Sequence, residues 1–442
     1  MELTMSNTPG ATDAIPDAGR PLQHCRRCLY TSAHPLGLVI DEEGICSGCR
    51  VHEEKDSLDW AERWQRLLSL VAPYRSTSGE HYDCIVPVSG AGDSHYIVHL
   101  VKERLGLNPL LVTYNKYFNT PLGIRNLANL RIRFDCDIVQ QNVNPRSVKK
   151  ITRTALREVG SMYWHCLAGQ SVFPVQTAVR YRIPLIIWGA HQGLEQVGMY
   201  SHEDEVEMSR RHRKDHDLMG READELLTLF DTLKDEDIWQ YRYPDDAALA
   251  SVGVRGIYLG NFVRWDPKAQ HELMVERHGY RSAATLRTFD SFDHVDCWNY
   301  LDLHDQLKLY RHGYSKVTDH ATREIRHGRL TREQGLALVR VHEQAPLQHL
   351  DKFCEWLGTD PTGLQFLLDQ QRNPRWWAPQ SHGQWRFAGW STHAGASSAT
   401  VDQPLFEVND RLDHGGVQKY VTVGRGYPDA MMLSASDSTA AR

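Results

Sequence analysis

Short apolar runs alternate with amphipathic segments through the middle of the chain, and this pattern predicts the fold. Five runs rich in Val, Ile and Leu are bounded by glycine, proline or charged residues and favour buried strands; they span 83–88, 109–114, 137–143, 184–189 and 256–260. Between them, apolar residues recur at helical spacing over 94–105, 122–134, 145–159 and 170–181. Strands that alternate with helices predict an α/β fold with a parallel, doubly wound sheet, covered by helices on both faces.

Helical patterning also occurs on both sides of this α/β region. It spans 57–72 before the first strand, and 298–312, 319–327, 331–342, 347–357 and 361–371 after the last one. The first residues are rich in Thr, Pro, Gly and Ala, which is typical of disorder. We therefore predict a disordered N-terminus at 1–20, a cysteine-rich segment at 21–56, an α/β domain at 57–295, a helical C-terminal domain at 296–372, and a variable, partly disordered tail at 373–442.

Four of the nine cysteines form two closely spaced pairs near the N-terminus. Cys25 and Cys28 make one pair and Cys46 and Cys49 the other, with 17 residues between the pairs. Two such pairs can supply four thiolates in a tetrahedral arrangement, and the spacing is that of a structural zinc ribbon. A redox or sulfur-relay pair is the alternative. We predict Zn²⁺ here, because bound metal would stabilise a segment too small for a core of its own.

A glycine-rich turn follows the first predicted strand and leads into the first predicted helix. It consists of Ser89, Gly90, Ala91, Gly92, Asp93 and Ser94. The backbone amides of such a turn form a nest for an anion such as phosphate, and the free N–H groups of the following helix add to it. A carboxylate beside the phosphate, here Asp93, can hold Mg²⁺. The turn lacks the Gly-Lys-Ser/Thr ending of a Walker loop, and the simpler interpretation is a structural turn with Asp93 as a helix N-cap.

Composition narrows the possible functions. The 442 residues are 41% hydrophobic and 24% charged, with a net charge of −6, as in ordinary globular proteins. The acidic balance gives no reason to expect a nucleic-acid partner. No apolar run is long enough to span a membrane, and the N-terminus lacks the pattern of a signal peptide, so we expect a cytoplasmic protein.

Several segments together resemble one enzyme family. The turn at 89–94 is similar to the SGGxDS loop of the ATP pyrophosphatases, or PP-loop enzymes, whose fold is that of the adenine nucleotide alpha hydrolases. From 25 to 342 the chain resembles the N-acetyl sugar amidotransferases of that group. The resemblance rests on the cysteine segment 41–49, the PP-loop, Gly123 with Asn126 and Asn129, His165 with Cys166, the segment 184–189 with Glu195, the segment 256–260 with Trp265 and Asp266, and the positions Lys308, Gly313, 318–320 and 324–333.

This resemblance implies an activity. Enzymes of the family use ATP and Mg²⁺ to transfer AMP to the carbonyl oxygen of a sugar's N-acetyl group, and ammonia then displaces AMP to leave an amidine. The implied substrate is a small-molecule amide, an N-acetyl sugar that is free or nucleotide-linked. Ammonia would come from a separate glutaminase subunit with an ammonia-channel protein, because the chain shows no glutaminase domain of its own.

The resemblance also assigns roles to individual residues. The implied catalytic residues are Asp93, Ser94, His165 and Glu195. The implied ATP-binding residues are Ser89, Gly90, Ala91, Gly92, Asp93, Ser94, Asn126, Trp188 and Gly189. The implied substrate-binding residues are Asn129, Lys308, Asp319, His320 and Arg326.

Two positions depart from the family's PP-loop. Ala91 replaces a glycine, and Gly92 stands where many relatives have lysine. A methyl group at position 91 can crowd a phosphate or require a different backbone angle. Two alternatives therefore stay open. One is a PP-loop sulfurtransferase acting on tRNA or a small molecule, for which the candidate thiols are Cys84, Cys136, Cys166 and Cys297, and the other is an inactive scaffold.

Overall fold

The computed structural model of the chain describes residues 22–293 and 295–388. The predicted disordered N-terminus at 1–20 and most of the predicted tail at 373–442 lie outside these residues. None of the described helices is both long enough and apolar enough to cross a membrane.

Five parallel strands form the central sheet. They are β1 Cys84–Pro87, β2 Pro109–Tyr114, β3 Ile138–Gln141, β4 Leu185–Trp188 and β5 Arg255–Tyr258, in the order β3-β2-β1-β4-β5. Each strand overlaps one of the five predicted runs, so the predicted parallel sheet is confirmed. The chain moves outward from β1 to β3 and then returns to place β4 on the other side of β1. Such a switch point leaves a crevice at the carboxyl ends of the strands.

Both faces of the sheet are buried, which accounts for the unbroken apolar runs. Ile85, Leu110 and Ile186 belong to one apolar cluster. The residue that follows each of them belongs to a second cluster on the opposite face. Because neighbouring side chains of a strand point to opposite faces, the sheet has two separate cores, and the predicted double winding is confirmed.

Sixteen α-helices lie within the described residues. They are α1 Ser47–Glu54, α2 Trp60–Val71, α3 Gly92–Val98, α4 Pro121–Arg133, α5 Pro145–Glu158, α6 Trp164–Tyr181, α7 Arg210–His212, α8 Ala223–Leu229, α9 Asp235–Ile238, α10 Asp246–Val252, α11 Pro267–His278, α12 Leu303–His312, α13 Lys316–Arg326, α14 Arg332–His342, α15 Leu350–Leu357 and α16 Pro361–Asp369. Three π-helical segments lie at His99–Arg104, Gly193–Val197 and Arg213–Asp217. Short 3₁₀ turns lie at Ala72–Tyr74, His202–Asp204, Trp239–Tyr241, Leu259–Asn261 and Ser381–Gly383.

Helices α1 and α7 to α11 were not predicted, and the other helices differ from the prediction mainly at their ends. Helix α6 begins six residues before the predicted start at 170, because Trp164, His165 and Cys166 are fully buried and packing adds a turn that the pattern does not show. The predicted tail contains an antiparallel hairpin, β6 Trp377–Pro379 with β7 Trp385–Phe387, that the sequence pattern did not indicate. The domain boundaries stay predictions.

Candidate active site

The glycine-rich turn lies at the carboxyl end of β1, and two of its residues must be glycine. Gly90 has a φ of +86°, and a Cβ atom there would lie 2.6 Å from the carbonyl oxygen of Gly123. A Cβ atom at Gly92 would lie 2.5 Å from the ring of His271. Ala91 has φ −80° and ψ 168°, an extended conformation that any residue adopts. The alanine therefore fits the turn without backbone strain.

Hydrogen bonds within the turn leave the backbone amides of Gly90, Gly92 and Asp93 for an anion. Ser94 Oγ accepts from the amide of Ser89 at 3.0 Å, and Ser89 Oγ accepts from the amide of Ala91 at 3.3 Å. Helix α3 begins at Gly92, so the amides of Gly92 and Asp93 belong to its first turn and have no acceptor among the described residues. Ala91 holds the N-cap position, so the interpretation of Asp93 as an N-cap is wrong.

A cavity of about 460 Å³ opens beside the turn, at the carboxyl ends of β1, β2 and β4. Ten residues to which the resemblance assigns a role line this cavity. They are Ser89, Ala91, Asp93, Ser94, Trp188, Gly189, Glu195, Asp319, His320 and Arg326. Gly90 and Gly92 contribute to the backbone of the turn itself. Segments far apart in the sequence therefore meet at one place, and the roles of these residues stay predictions.

His165 lies behind the cavity wall. The side chain is fully buried, and its Nδ1 atom lies 3.0 Å from Oη of Tyr114, a residue that lines the cavity. Burial lowers the pKa of His165 to about 3, so the ring is neutral at physiological pH. Any effect of His165 on a bound molecule would pass through the Tyr114 hydroxyl, and its catalytic role stays a prediction.

Asn126, Asn129 and Lys308 also lie outside the cavity. The Asn126 side chain donates to the carbonyl oxygen of Arg281 at 2.9 Å and accepts from its amide at 3.1 Å, so it holds that segment of backbone. The Oδ1 atom of Asn129 lies 3.3 Å from a buried histidine ring nitrogen. Lys308 forms an ion pair with Asp319, and burial lowers the pKa of the Lys308 ammonium to about 8. Lys308 therefore holds the cavity residue Asp319 from outside the cavity.

Helix α13 forms a charged wall of the cavity. Residues of one helical face, three or four positions apart, line it: Lys316, Asp319, His320, Arg323 and Arg326. Residues of the opposite face pack in the apolar cluster that contains the four paired cysteines: Val317, Ala321 and Ile325. Three of the five cavity-lining side chains are lysine or arginine, and two of these also form ion pairs, Lys316 with Asp319 and Arg323 with Asp293.

Two carboxylates face the cavity near the turn. The ring of His271 stands between them, with Nε2 3.2 Å from Asp93 Oδ1 and 3.9 Å from Asp293 Oδ1. Burial and the neighbouring Asp290 carboxylate raise the pKa of Asp293. A cation placed beside such carboxylates relieves their repulsion, and carboxylate oxygens are ligands that Mg²⁺ prefers. Asp93 and Asp293 therefore fit the predicted Mg²⁺.

The four paired cysteines, Cys25, Cys28, Cys46 and Cys49, come together as one cluster, called here the cysteine quartet. Their Sγ atoms all lie within 4.8 Å of one another, and the four residues are at most 1% exposed. The Sγ atom of Cys25 accepts from the amides of Cys28 and Cys46, each at 3.4 Å. Four converging sulfur atoms without other ligands fit a tetrahedral structural Zn²⁺.

Two basic side chains join the cysteine segment to the cavity. The Nη2 atom of Arg326 lies 3.6 Å from Cys46 Sγ, and Nη1 donates to the carbonyl oxygens of Glu195 at 3.0 Å and Gln196 at 2.9 Å. Lys55 follows helix α1, has a side chain only 1% exposed, and forms a 2.5 Å ion pair with Glu195. Glu195 is therefore held by residues of the cysteine segment and of α13 together.

The cavity contains further charged residues that the sequence analysis missed: Lys116, Asp293, Lys316 and Arg323. Lys116 lies two residues beyond β2 and forms a 2.6 Å ion pair with Asp296. A search for charged residues just after each predicted strand would have found Lys116, because strand ends meet at this edge of the sheet. Asp293 lies in an irregular loop and gives no such signal.

None of the nine cysteines, all of which lie in the described part of the chain, lines the cavity. The five outside the quartet are buried elsewhere. Burial raises the pKa of the Cys166 thiol well above its ordinary value, and Sγ lies 3.5 Å from Nε2 of the buried His165. Cys166 is therefore a protonated core thiol in this arrangement.

Residues 286–391 match a protein-family model described as the C-terminal domain of WbpG-like LPS biosynthesis proteins. The structure is similar to that of NMN synthetase from Francisella tularensis, with a TM-score of 0.26 and 11% identity over 52% of this chain and 98% of that chain. It is also similar to the NH₃-dependent NAD synthetase from Campylobacter jejuni subsp. jejuni NCTC 11168 in complex with the nitrate ion, with a TM-score of 0.26 and 12% identity over 44% and 92%. At a TM-score of 0.26 and 11–12% identity, these similarities give no information about the function of this chain. No curated protein matches the chain.

Proposed function

We propose that the protein is an ATP-dependent, AMP-forming amidotransferase that acts on the N-acetyl group of a sugar or a nucleotide-linked sugar. The amide carbonyl oxygen attacks the α-phosphorus of ATP, and a new O–P bond forms as pyrophosphate leaves. Ammonia then adds to the activated carbon, and AMP leaves with the former carbonyl oxygen. The product is an amidine in which nitrogen has replaced that oxygen.

The observation that carries this proposal is the position of the glycine-rich turn. The free amides of Gly92 and Asp93 lie at the start of helix α3 and at the carboxyl end of β1. A helix N-terminus of this kind binds phosphate through its N–H groups and its dipole. The adjoining cavity of about 460 Å³ is within the usual range of small-molecule sites.

Charged residues around the cavity suit a reaction that releases pyrophosphate. Asp93 and Asp293 would hold Mg²⁺, which when bound would offset the negative charge that develops on the leaving pyrophosphate. Lys116, Lys316 and Arg323 line the same cavity and would donate charge-assisted hydrogen bonds to phosphate oxygens. Ser89 and Ser94 would complete the phosphate cradle.

Glu195 is suited to receive the nitrogen donor. One of its carboxylate oxygens pairs with Lys55, whereas the other, Oε1, is buried and has no hydrogen-bond partner among the residues that the structure describes. A buried acceptor without a partner is costly, and a hydrogen bond from ammonia would satisfy it. The ammonia would be delivered by a separate glutaminase subunit with a channel protein, as the resemblance implies.

The acceptor would contact the charged wall. Asp319, His320 and Arg326 lie on the cavity face of α13. The region 286–391, which includes α13, is similar to a family named for LPS biosynthesis, and this supports a carbohydrate acceptor. Trp188 and Gly189, at the end of β4, would contact the nucleotide from the opposite side of the turn.

The two alternative functions receive less support. A PP-loop sulfurtransferase would use a thiol near the nucleotide, and no cysteine of the described residues lines the cavity. An inactive scaffold would be favoured by a distorted phosphate-binding turn, whereas Ala91 adopts an ordinary extended conformation and Gly90 supplies the positive φ that the turn requires.

The experiment that tests the proposal measures AMP release together with the mass of the acceptor. The full-length protein is incubated with ATP, Mg²⁺ and ¹⁵N-ammonium across a panel of free and nucleotide-linked N-acetyl sugars. We expect one acceptor to gain ¹⁵N and lose oxygen in step with AMP formation. Asp93→Asn should abolish both signals, whereas Asp231→Asn, at an exposed carboxylate away from the cavity, should leave them unchanged. ATP binding without an aminated product from any acceptor would contradict the proposed substrate class.

A further inference from the structure

A group of metal-binding side chains lies outside the cavity and outside the cysteine quartet. It consists of His99, Glu103 and His278. His99 and Glu103 are four residues apart on the π-helical segment that continues α3, and His278 is the last residue of α11. Both histidines are buried, with side chains 6% and 3% exposed, whereas the carboxylate of Glu103 is 45% exposed.

Three potential ligand atoms of this group form a triangle with sides of 2.9 to 3.7 Å. His99 Nδ1 lies 2.9 Å from Glu103 Oε2 and 3.2 Å from His278 Nε2, and the third side, from His278 Nε2 to Glu103 Oε2, is 3.7 Å. Nitrogen and oxygen ligands about 2.0–2.1 Å from a tetrahedral Zn²⁺ are about 3.3–3.4 Å from one another. The observed sides are distributed around that value, so one ion can contact all three atoms.

Hydrogen bonds within the group cannot satisfy all three contacts of this triangle at once. If Nδ1 of His99 carries the proton and donates it to Glu103, the same N–H cannot also point straight at Nε2 of His278. If His278 donates to His99 instead, Nδ1 of His99 is an acceptor and faces the carboxylate of Glu103, which is also an acceptor. A divalent cation resolves the conflict because it accepts a lone pair from all three atoms at once.

The backbone around the group also suits a cation. His278 ends helix α11, where the helix dipole favours positive charge. The segment His99–Arg104 is π-helical, with the amide of Leu105 bonded to the carbonyl oxygen of Leu100 at 2.8 Å. Such segments are rare and occur frequently at functional sites.

We propose that His99, Glu103 and His278 form a binding site for a divalent transition-metal ion of the zinc class. Two imidazoles with one carboxylate favour zinc over Mg²⁺, which prefers oxygen ligands. The half-exposed carboxylate leaves the fourth coordination position open to water. This proposal does not depend on the proposed reaction, since the group lies two helical turns along α3 from the glycine-rich turn.

The proposed ion would join two helices that both reach the cavity. Helices α3 and α11 run side by side: Gly92 meets the ring of His271, and seven residues further along each helix His99 meets His278. His271 contacts Asp93 at the other end of the same pair. An ion at His99 and His278 therefore clamps α3 against α11 about 10 Å from the turn.

Zinc content at equilibrium tests the proposal. Full-length protein and variants are dialysed against buffered free Zn²⁺, and bound zinc is measured per chain. We expect Glu103→Gln to hold about one zinc ion fewer than the wild type, and His278→Gln to show the same loss. Because the result is a difference between proteins that share the cysteine quartet, it does not depend on whether the quartet is filled.

Two matched variants serve as controls. Glu276→Gln changes an exposed carboxylate on α11, and His81→Gln changes an exposed histidine before β1; neither belongs to the group, so both should bind zinc as the wild type does. Added Zn²⁺ should raise the unfolding temperature of the wild type more than that of Glu103→Gln. If His278→Gln does not fold, Glu103→Gln decides the question, since its side chain is half-exposed. Equal zinc content in the wild type and Glu103→Gln at every free Zn²⁺ concentration would overturn the proposal.

Discussion

A Gly90→Ala substitution would place a methyl group where the glycine-rich turn has no room for one. Gly90 has a φ of +86°, and the left-handed conformation costs a residue with a side chain about 1–2 kcal/mol. The new Cβ atom would also lie 2.6 Å from the carbonyl oxygen of Gly123 and 3.2 Å from Cβ of Leu127. Because a backbone oxygen cannot rotate away as a flexible side chain does, the turn or helix α4 has to shift by several tenths of an ångström.

Gly79→Ala provides a control for the conformational cost. Gly79 has a φ of +70°, so alanine is strained there to a similar extent, yet its new Cβ atom would have nothing within 4 Å. Both variants should therefore unfold at a lower temperature than the wild type, and Gly90→Ala should be the less stable of the two. The difference between the variants isolates the contact with Gly123.

Thermal unfolding with and without MgATP then separates stability from nucleotide binding. A ligand at 100 times its dissociation constant stabilises the folded state by about 2.7 kcal/mol. Gly79→Ala should keep the full increase in unfolding temperature on addition of MgATP, whereas Gly90→Ala should lose most of it because the amides of the turn are displaced. If Gly90→Ala folds and responds to MgATP as the wild type does, the turn is not the phosphate-binding site.

Three further substitutions test other parts of the structure. Lys116→Met leaves the buried Asp296 without its cation and should lower the free energy of unfolding by about 3–5 kcal/mol in chemical denaturation, with partial recovery when Asp296→Asn is added. Burial lowers the pKa of His165 from 6.5 to about 3, so between these pH values the ring binds a proton in the unfolded chain but not in the folded protein, and the folded protein loses stability as the pH falls from about 6.5 towards 3. His165→Gln should therefore make the decrease of the unfolding midpoint with falling pH shallower. An unchanged decrease would contradict a buried neutral ring. Arg326→Lys keeps the charge but loses the fork that contacts Cys46 and two carbonyl groups, so AMP formation should fall several-fold while zinc content stays unchanged.

The sheet and the glycine-rich turn could be predicted because their signals are local. The strands β1, β2 and β4 are buried on both faces and therefore appear as continuous apolar runs, and the turn needs glycine at Gly90 for its backbone angle. The charged wall has no such local signal: the family resemblance implied its residues Asp319, His320 and Arg326, whereas the helical spacing of α13 gives no indication of the others. The face of α13 that carries Lys316 and Arg323 has the spacing of any solvated helix face, and only the tertiary structure turns it towards a cavity.

The sequence pattern also could not predict which residues of irregular loops reach the cavity. Asp293 belongs to no periodic element, and its place beside Asp93 depends on how the loop before α12 folds. His165 shows the opposite problem. A histidine has the same sequence signal whether it faces a cavity or is buried behind a tyrosine, and here the Tyr114 side chain separates it from the cavity.

Helix α13 links the segment of the cysteine quartet to the site, because both of its faces are occupied. One face packs in the apolar cluster of the cysteine quartet, and the other lines the cavity with cationic side chains. Arg326 contacts Cys46 on one side and the carbonyl oxygen of Glu195 on the other. If the quartet holds Zn²⁺ as predicted, loss of that ion would loosen the support of the charged wall and of Glu195 together. We therefore expect a chelator that removes it to reduce the proposed AMP-forming activity, although none of the described cysteines touches the cavity.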